Sequence, residues 1–158
     1  MDIPLADATA TEALGAALAR VCPARCLIFL HGDLGAGKTT LSRGFLRGLG
    51  YRGRVKSPTY TLLEPYDIEG PPPRRVCHFD LYRLADAEEL LYLGAEDCLA
   101  AEAISLVEWP QRGQARLPAA DLEVRLEYQG EGRRARLRAA SEPGRQLLQK
   151  LSFAAASD

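Results

Sequence analysis

The stretch "GDLGAGKTT", Gly32 to Thr40, limits what this chain can fold into more than any other feature. It fills the pattern G-x-x-x-x-G-K-[ST] with Gly32, Gly37, Lys38 and Thr39. Backbone N–H groups can curl round phosphate oxygens only where glycines allow positive φ angles and close approach. Lys38 supplies a point charge for the β- and γ-phosphates, and the Thr39 hydroxyl is a ligand type suited to Mg²⁺. The flanks agree. "CLIFLH" before the loop is an apolar run of the kind that makes a buried parallel strand. "TTLSRGFLRGLG" after it sets Leu41, Phe45, Leu46 and Leu49 at helical spacing and stops at Gly50. Strand, glycine loop and helix together define a nucleotide-binding site, with the positive end of the helix turned toward the anion.

The rest of the chain reads as one α/β domain over residues 1–158. "TEALGAALARVC" is an opening helix, capped by Thr9 or Thr11. "SPTYTLLEPYD" starts as a loop and becomes a strand, and "IEGPPPRR" turns it back into "RVCHFDLYRL", a strand ending near Asp80. One or two short helices follow, divided at Gly94, then the buried strand "AISLVEWP" closed by Pro110. "DLEVRLEY" and "RRARLRAA" alternate around "QGEG" as a second hairpin, and "SEPGRQLLQKLSF" is a closing helix. Alternating strands and helices predict a parallel sheet covered on its faces, and the hairpins add antiparallel strands. The expected fold is a phosphate-loop, three-layer α/β arrangement with a mixed sheet and flanking helices.

Two carboxylates stand at strand ends. Asp80 closes "VCHFD" and Glu108 closes "ISLVE", and in such sheets the carboxyl ends of the strands face the ligand crevice. One is expected to hold Mg²⁺ and the other to position water, with Asp80 the better metal candidate by its place on the strand. "KSPTYTL" offers hydroxyls at Ser57, Thr59 and Thr61, either as a mobile switch loop or as plain strand entry. Arg83 can steady a phosphate or pair with Asp86. His78 reads as a packed strand residue outside the chemistry, and Trp109 as a fluorescence reporter beside Glu108.

Composition narrows the class. No apolar run approaches a membrane span, and no basic-then-apolar leader opens the chain, so a cytoplasmic location is expected. The four cysteines, Cys22, Cys26, Cys77 and Cys98, match no zinc spacing and are expected to be reduced. A net charge of −1 argues against independent tight RNA binding, despite the basic clusters "YRGRVK" and "GRRARLR". The sequence contains no asparagine and so lacks the N-K-x-D guanine reader, which leaves ATP as the nucleotide. A polymer motor would need a basic track. A small-molecule kinase would need an arginine-rich lid, for which "RRARLR" is too strand-like.

"GDLGAGKTT", "VKSPTYTL", "HFDLYRL" and "LVEWP", in this order and spacing, resemble the TsaE (YjeE) family from about Ile3 to the second hairpin. The resemblance implies a small mixed-sheet ATPase, slow alone. It would bind ATP and Mg²⁺ and act with TsaD and TsaB, which attach threonylcarbamoyl to adenosine 37 of tRNA. Contact with tRNA would be indirect, through that complex. By position the resemblance puts the nucleotide loop on Asp33, Gly35, Ala36, Gly37, Lys38, Thr39 and Thr40. It puts the Mg²⁺ hydroxyl on Thr39 and the functional acids on Asp80 and Glu108, so that Lys38, Asp80 and Glu108 carry catalysis. Adenine contacts would fall near Ala8 to Thr11, with Thr11 the side chain, and near Gly132 to Arg133. The chain departs from the family at Ala8, where a polar side chain is usual. The alternative to this reading is a phosphate-loop kinase acting on a small molecule.

Overall fold

The computed structural model describes residues 1–156. Its strands are β1 (Asp2–Leu5), β2 (Cys26–His31), β3 (Leu63–Ile68), β4 (Arg74–Asp80), β5 (Ile104–Glu108), β6 (Leu122–Gln129) and β7 (Gly132–Ala139). The helices are α1 (Ala8–Val21), α2 (Lys38–Gly48), α3 (Glu89–Tyr92), α4 (Ala95–Ala100) and α5 (Glu142–Ala156). All seven strands form one sheet in the order β1-β7-β6-β2-β5-β4-β3. The central strand β2 runs parallel to β5 and β6, and β5 is parallel to β4. Antiparallel hairpins, β3–β4 and β6–β7, extend the sheet on either side, with β1 pairing β7 at the far edge. Hydrophobic alternation explains why both faces are covered. Ile28, Leu30, Val76, Ile104 and Leu106 pack with Leu14, Leu18, Leu41, Phe45 and Leu147 of α1, α2 and α5. Leu27, Cys77, Phe79 and Val107 point the other way, toward Leu90, Ala95 and Cys98 of α3 and α4. No helix among the described residues is long and apolar enough to cross a membrane.

Close helix contact holds α2, and with it the phosphate loop, against α1. A Cβ on Gly44 would lie 2.1 Å from the Glu12 carbonyl oxygen, and one on Gly15 would lie 2.2 Å from that of Leu41. Only glycines permit this backbone-on-backbone approach, which seats α2 against the sheet. At the opposite end of the loop, Gly37 is the N-cap of α2 with φ 110°.

Two expectations are corrected. Helix α1 is capped by Asp7, whose carboxylate accepts the Ala10 N–H at 2.8 Å, rather than by Thr9 or Thr11. The threonines fall inside the first turns, and Thr11 is buried with its hydroxyl on the Asp7 carbonyl. The cysteines are not all reduced. Cys77 and Cys98 form a disulfide between β4 and α4, with Cα atoms 6.1 Å apart, well within bridging range. Cys22 and Cys26 are free and buried. The register behind that bridge is tertiary, since the pair is 21 residues apart and meets only once α4 folds onto the sheet. Strand β1, which local pattern does not announce, completes the edge; Pro4 is tolerated there because an edge strand can spare a donor.

Candidate functional site

Parallel pairing of β4 with β5 brings their carboxyl ends into register, so that Asp80 stands opposite Glu108. Both are buried, at 7% and 2% exposure, and both point to the face of the sheet that carries α2. Helix α2 begins at Lys38, directly after the glycine loop, and so aims Thr39 at the same spot. The Thr39 hydroxyl donates to Glu108, 3.0 Å from Oε1 and 3.1 Å from Oε2. Asp80 Oδ1 accepts the Tyr82 N–H at 3.1 Å, and Oδ2 accepts the Thr59 hydroxyl at 3.4 Å. Thus the "KSPTYTL" segment reaches the carboxylates through Thr59. Burial, then the negative charge of Glu108, pushes the Asp80 carboxyl above its ordinary range.

Lys38 lies folded over its own loop. Its ammonium donates to the carbonyls of Gly32 and Asp33 and sits 4.4 Å from the Trp109 ring centroid. Burial lowers its pKa, and the charges of Glu108, Asp80 and Asp33 oppose that shift. Trp109 itself adopts a left-handed conformation, φ 57°, which a bulky residue keeps only where its surroundings enforce it. That turn at the end of β5 places the indole under the ammonium.

The residues enclose a cavity of about 350 Å³ lined by Lys38, Thr39, Asp80, Arg83, Glu108 and Trp109. A second cavity of about 150 Å³ adjoins it across Gly35, Gly37 and Thr40, and is walled by Asp7, Ala8, Thr11, Gly132 and Arg133. The N-terminal segment and the late hairpin, far apart in sequence, therefore meet beside the loop. Arg133 donates to the Gly35 carbonyl at 3.2 Å and lies 4.0 Å from the Tyr128 ring centroid. Arg83 lines the larger cavity and stacks on Tyr60 at 4.6 Å, while Asp86 accepts the Glu88 N–H instead of pairing with it. A larger cleft of about 630 Å³ near Arg20, Cys22 and Lys150 is shallow and holds none of these groups.

The arrangement suits a nucleotide triphosphate and a hard cation. Gly35 and Gly37 have φ of 78° and 110°, the left-handed conformations an anion-wrapping loop requires. Hydroxyl and carboxylate oxygens are the donor types Mg²⁺ takes.

Two residues that pattern reading misses are part of the constellation. His78, fully buried, has Nε2 2.6 Å from Glu108 Oε2. Its signal was positional: it lies two residues before Asp80 on one strand, hence on the same face of the sheet. Tyr128 donates to the Leu34 carbonyl at 2.7 Å, tying the hairpin to the loop. Its signal was its place opposite Arg133 in the hairpin register.

The family profile of the threonylcarbamoyl adenosine biosynthesis protein TsaE matches residues 5–136. The tRNA threonylcarbamoyladenosine biosynthesis protein TsaE of Haemophilus influenzae is 48% identical over 126 residues, covering 80% of this chain and 78% of that protein. The protein of the same name from Synechocystis is 44% identical over 116 residues, 71% of each chain. The crystal structure of Bacillus subtilis YdiB superposes with a TM-score of 0.81 at 26% identity, covering 98% of this chain and 95% of that one. The chain belongs to the TsaE family of threonylcarbamoyl adenosine biosynthesis proteins.

Proposed function

We propose that this protein binds ATP with Mg²⁺ and hydrolyses it in support of threonylcarbamoyladenosine formation on tRNA. In this reading it acts on a TsaD–TsaB complex so that the complex turns over repeatedly. The supporting observation is the cluster at the loop: the Thr39 hydroxyl shared between both oxygens of Glu108, with Asp80 in register beside it. The family's role in this pathway supplies the biological frame.

The loop N–H groups and the start of α2 bind the phosphates, and Lys38 exchanges its two carbonyl partners for phosphate oxygens. Trp109 then covers one side of the ammonium. Mg²⁺, when bound, neutralises charge on the β- and γ-phosphates. Thr39 and Glu108 would hold it, because their oxygens already meet at one spot. Asp80, bonded to Thr59 of the flanking segment, is placed to orient the attacking water. Strand position alone favours the opposite division, with Asp80 on the metal. Thr11 and Arg133 flank the base in the adjoining cavity. Nothing in the site favours the kinase alternative: the arginine-rich segment is β7, hydrogen-bonded on both edges and so not free to close as a lid.

The test is tRNA modification by TsaD and TsaB with limiting TsaD. Added protein and ATP should raise modified adenosine above one per TsaD, and Lys38→Ala should not. Equal yields with and without the protein would reject the reading.

A further inference from the structure

We propose that His78 is a positioning residue for Glu108, donating from Nε2 to Oε2 and so fixing the carboxylate that meets Thr39 and the metal. The proposal rests on the Mg²⁺-ATP reading given above. Glu108 is held from two sides, by Thr39 through both oxygens and by His78 at 2.6 Å through Oε2 alone. Thr39 is expected to leave for the metal when nucleotide binds. His78 is then the partner that stays, because it lies in the middle of β4 at 0% exposure with no room to swing.

The chemistry of the ring supports a fixed donor. Nδ1 is buried with no hydrogen-bond partner among the described residues, so a proton there would be stranded. Placing the proton on Nε2 leaves a bare lone pair on Nδ1, a smaller cost than a stranded N–H, and aims the single N–H at Glu108. Parallel register makes the contact possible: His78 pairs with Leu106, and Asp80 with Glu108, so the imidazole lies just behind the carboxylate it addresses. A carboxylate that binds metal while hydrogen-bonded from behind is better oriented, and removing such a partner typically costs ten- to a hundredfold in metal affinity.

The experiment titrates MgCl₂ into ADP-loaded full-length protein and reads Trp109 fluorescence, beside nitrogen NMR of the imidazole. His78→Leu is expected to raise the Mg²⁺ half-saturation point about tenfold to a hundredfold. ADP affinity without Mg²⁺ should stay within about threefold, which a general structural defect would not spare. His78→Gln sets an amide N–H near the place of Nε2 and should recover most of the loss. His78→Asn is one carbon shorter and should not; this pair decides the matter if the leucine variant fails to fold. The spectrum should show Nε2 protonated and Nδ1 bare. An unchanged Mg²⁺ midpoint in His78→Leu, glutamine no better than asparagine, or an unprotonated Nε2 would overturn the proposal. If wild-type protein gave no response to ADP and Mg²⁺, the functional reading would fall, while the spectrum would still decide the His78–Glu108 bond.

Discussion

Asp80 and Glu108 face each other in register at the ends of two neighbouring parallel strands, both carboxylates buried and neither paired with a basic side chain of Lys or Arg. Two like charges in so enclosed a place oppose folding. The raised pKa of Asp80 has burial as its first cause and Glu108 as its second. A raised carboxyl pKa means stability is fullest below the unfolded value and declines as pH climbs through the folded one, so at neutral pH the ionised Asp80 is a cost.

Asp80→Asn should therefore stabilise the ligand-free protein, raising Tm by a few degrees at pH 7.5, while abolishing Mg²⁺-dependent ATP hydrolysis. The amide keeps the oxygen that accepts from Tyr82. Thermal melts with and without Mg²⁺-ADP check this; a lower Tm in the ligand-free variant would contradict it.

The α1–α2 contact makes a different prediction. A methyl group on Gly44 would strike three backbone atoms of Glu12 at 2.1–2.7 Å, and backbone cannot step aside as a flexible side chain can. Gly44→Ala should cost about 3 kcal/mol through overpacking, and lower Tm by roughly 6–12 °C. Gly50→Ala is the control. Its Cβ would meet nothing within 4 Å, so it pays only for φ +96°, about 1 kcal/mol.

Thiol counting tests the disulfide. Denatured without reductant, the protein should titrate two thiols, Cys22 and Cys26, and with reductant four. In the native state both free thiols should be slow to alkylate: a hydrogen bond from the Cys22 S–H to Cys26, then burial, pushes the Cys22 thiol far above the usual range. Breaking a bridge that closes a loop of 21 residues should lower unfolding free energy by about 3 kcal/mol in urea titrations. Four thiols before reduction would refute the bridge.

Stability should also fall below about pH 6.5 through His31. Burial, then the Arg125 charge, lowers its pKa, so its contribution is complete above the unfolded value and lost as pH drops and the unfolded chain takes up the proton. Glu123, 3.7 Å away, opposes the shift only in part. His31→Gln should flatten the change in urea midpoint between pH 7.5 and 5.5. An equal slope in both proteins would count against it.

Local features were readable in the residues. The loop, its flanking strand and helix, both hairpins and the break at Gly94 each depend on neighbours within a few positions, and all appear where pattern placed them. What pattern missed depends on tertiary meeting. Strand β1 exists through its pairing with β7, across the length of the chain. The Asp7 cap lost out to two nearby threonines because residue type alone does not say where the first turn begins. His78 looked like core because one strand cannot show what its neighbour presents; only the β4–β5 register reveals Glu108 behind it. The two carboxylates were legible as strand ends, whereas the contact between Thr39 and Glu108 belongs to the folded loop.

The most direct test is steady-state ATP hydrolysis by the pure protein, wild type against Glu108→Gln, with Mg²⁺ and with EDTA, beside ATP binding by Trp109 fluorescence. Wild type should hydrolyse ATP slowly and only with Mg²⁺. Glu108→Gln should still bind ATP yet lose about a hundredfold or more in turnover. Hydrolysis that survives either EDTA or the substitution, or a wild type that binds no ATP, would contradict the account.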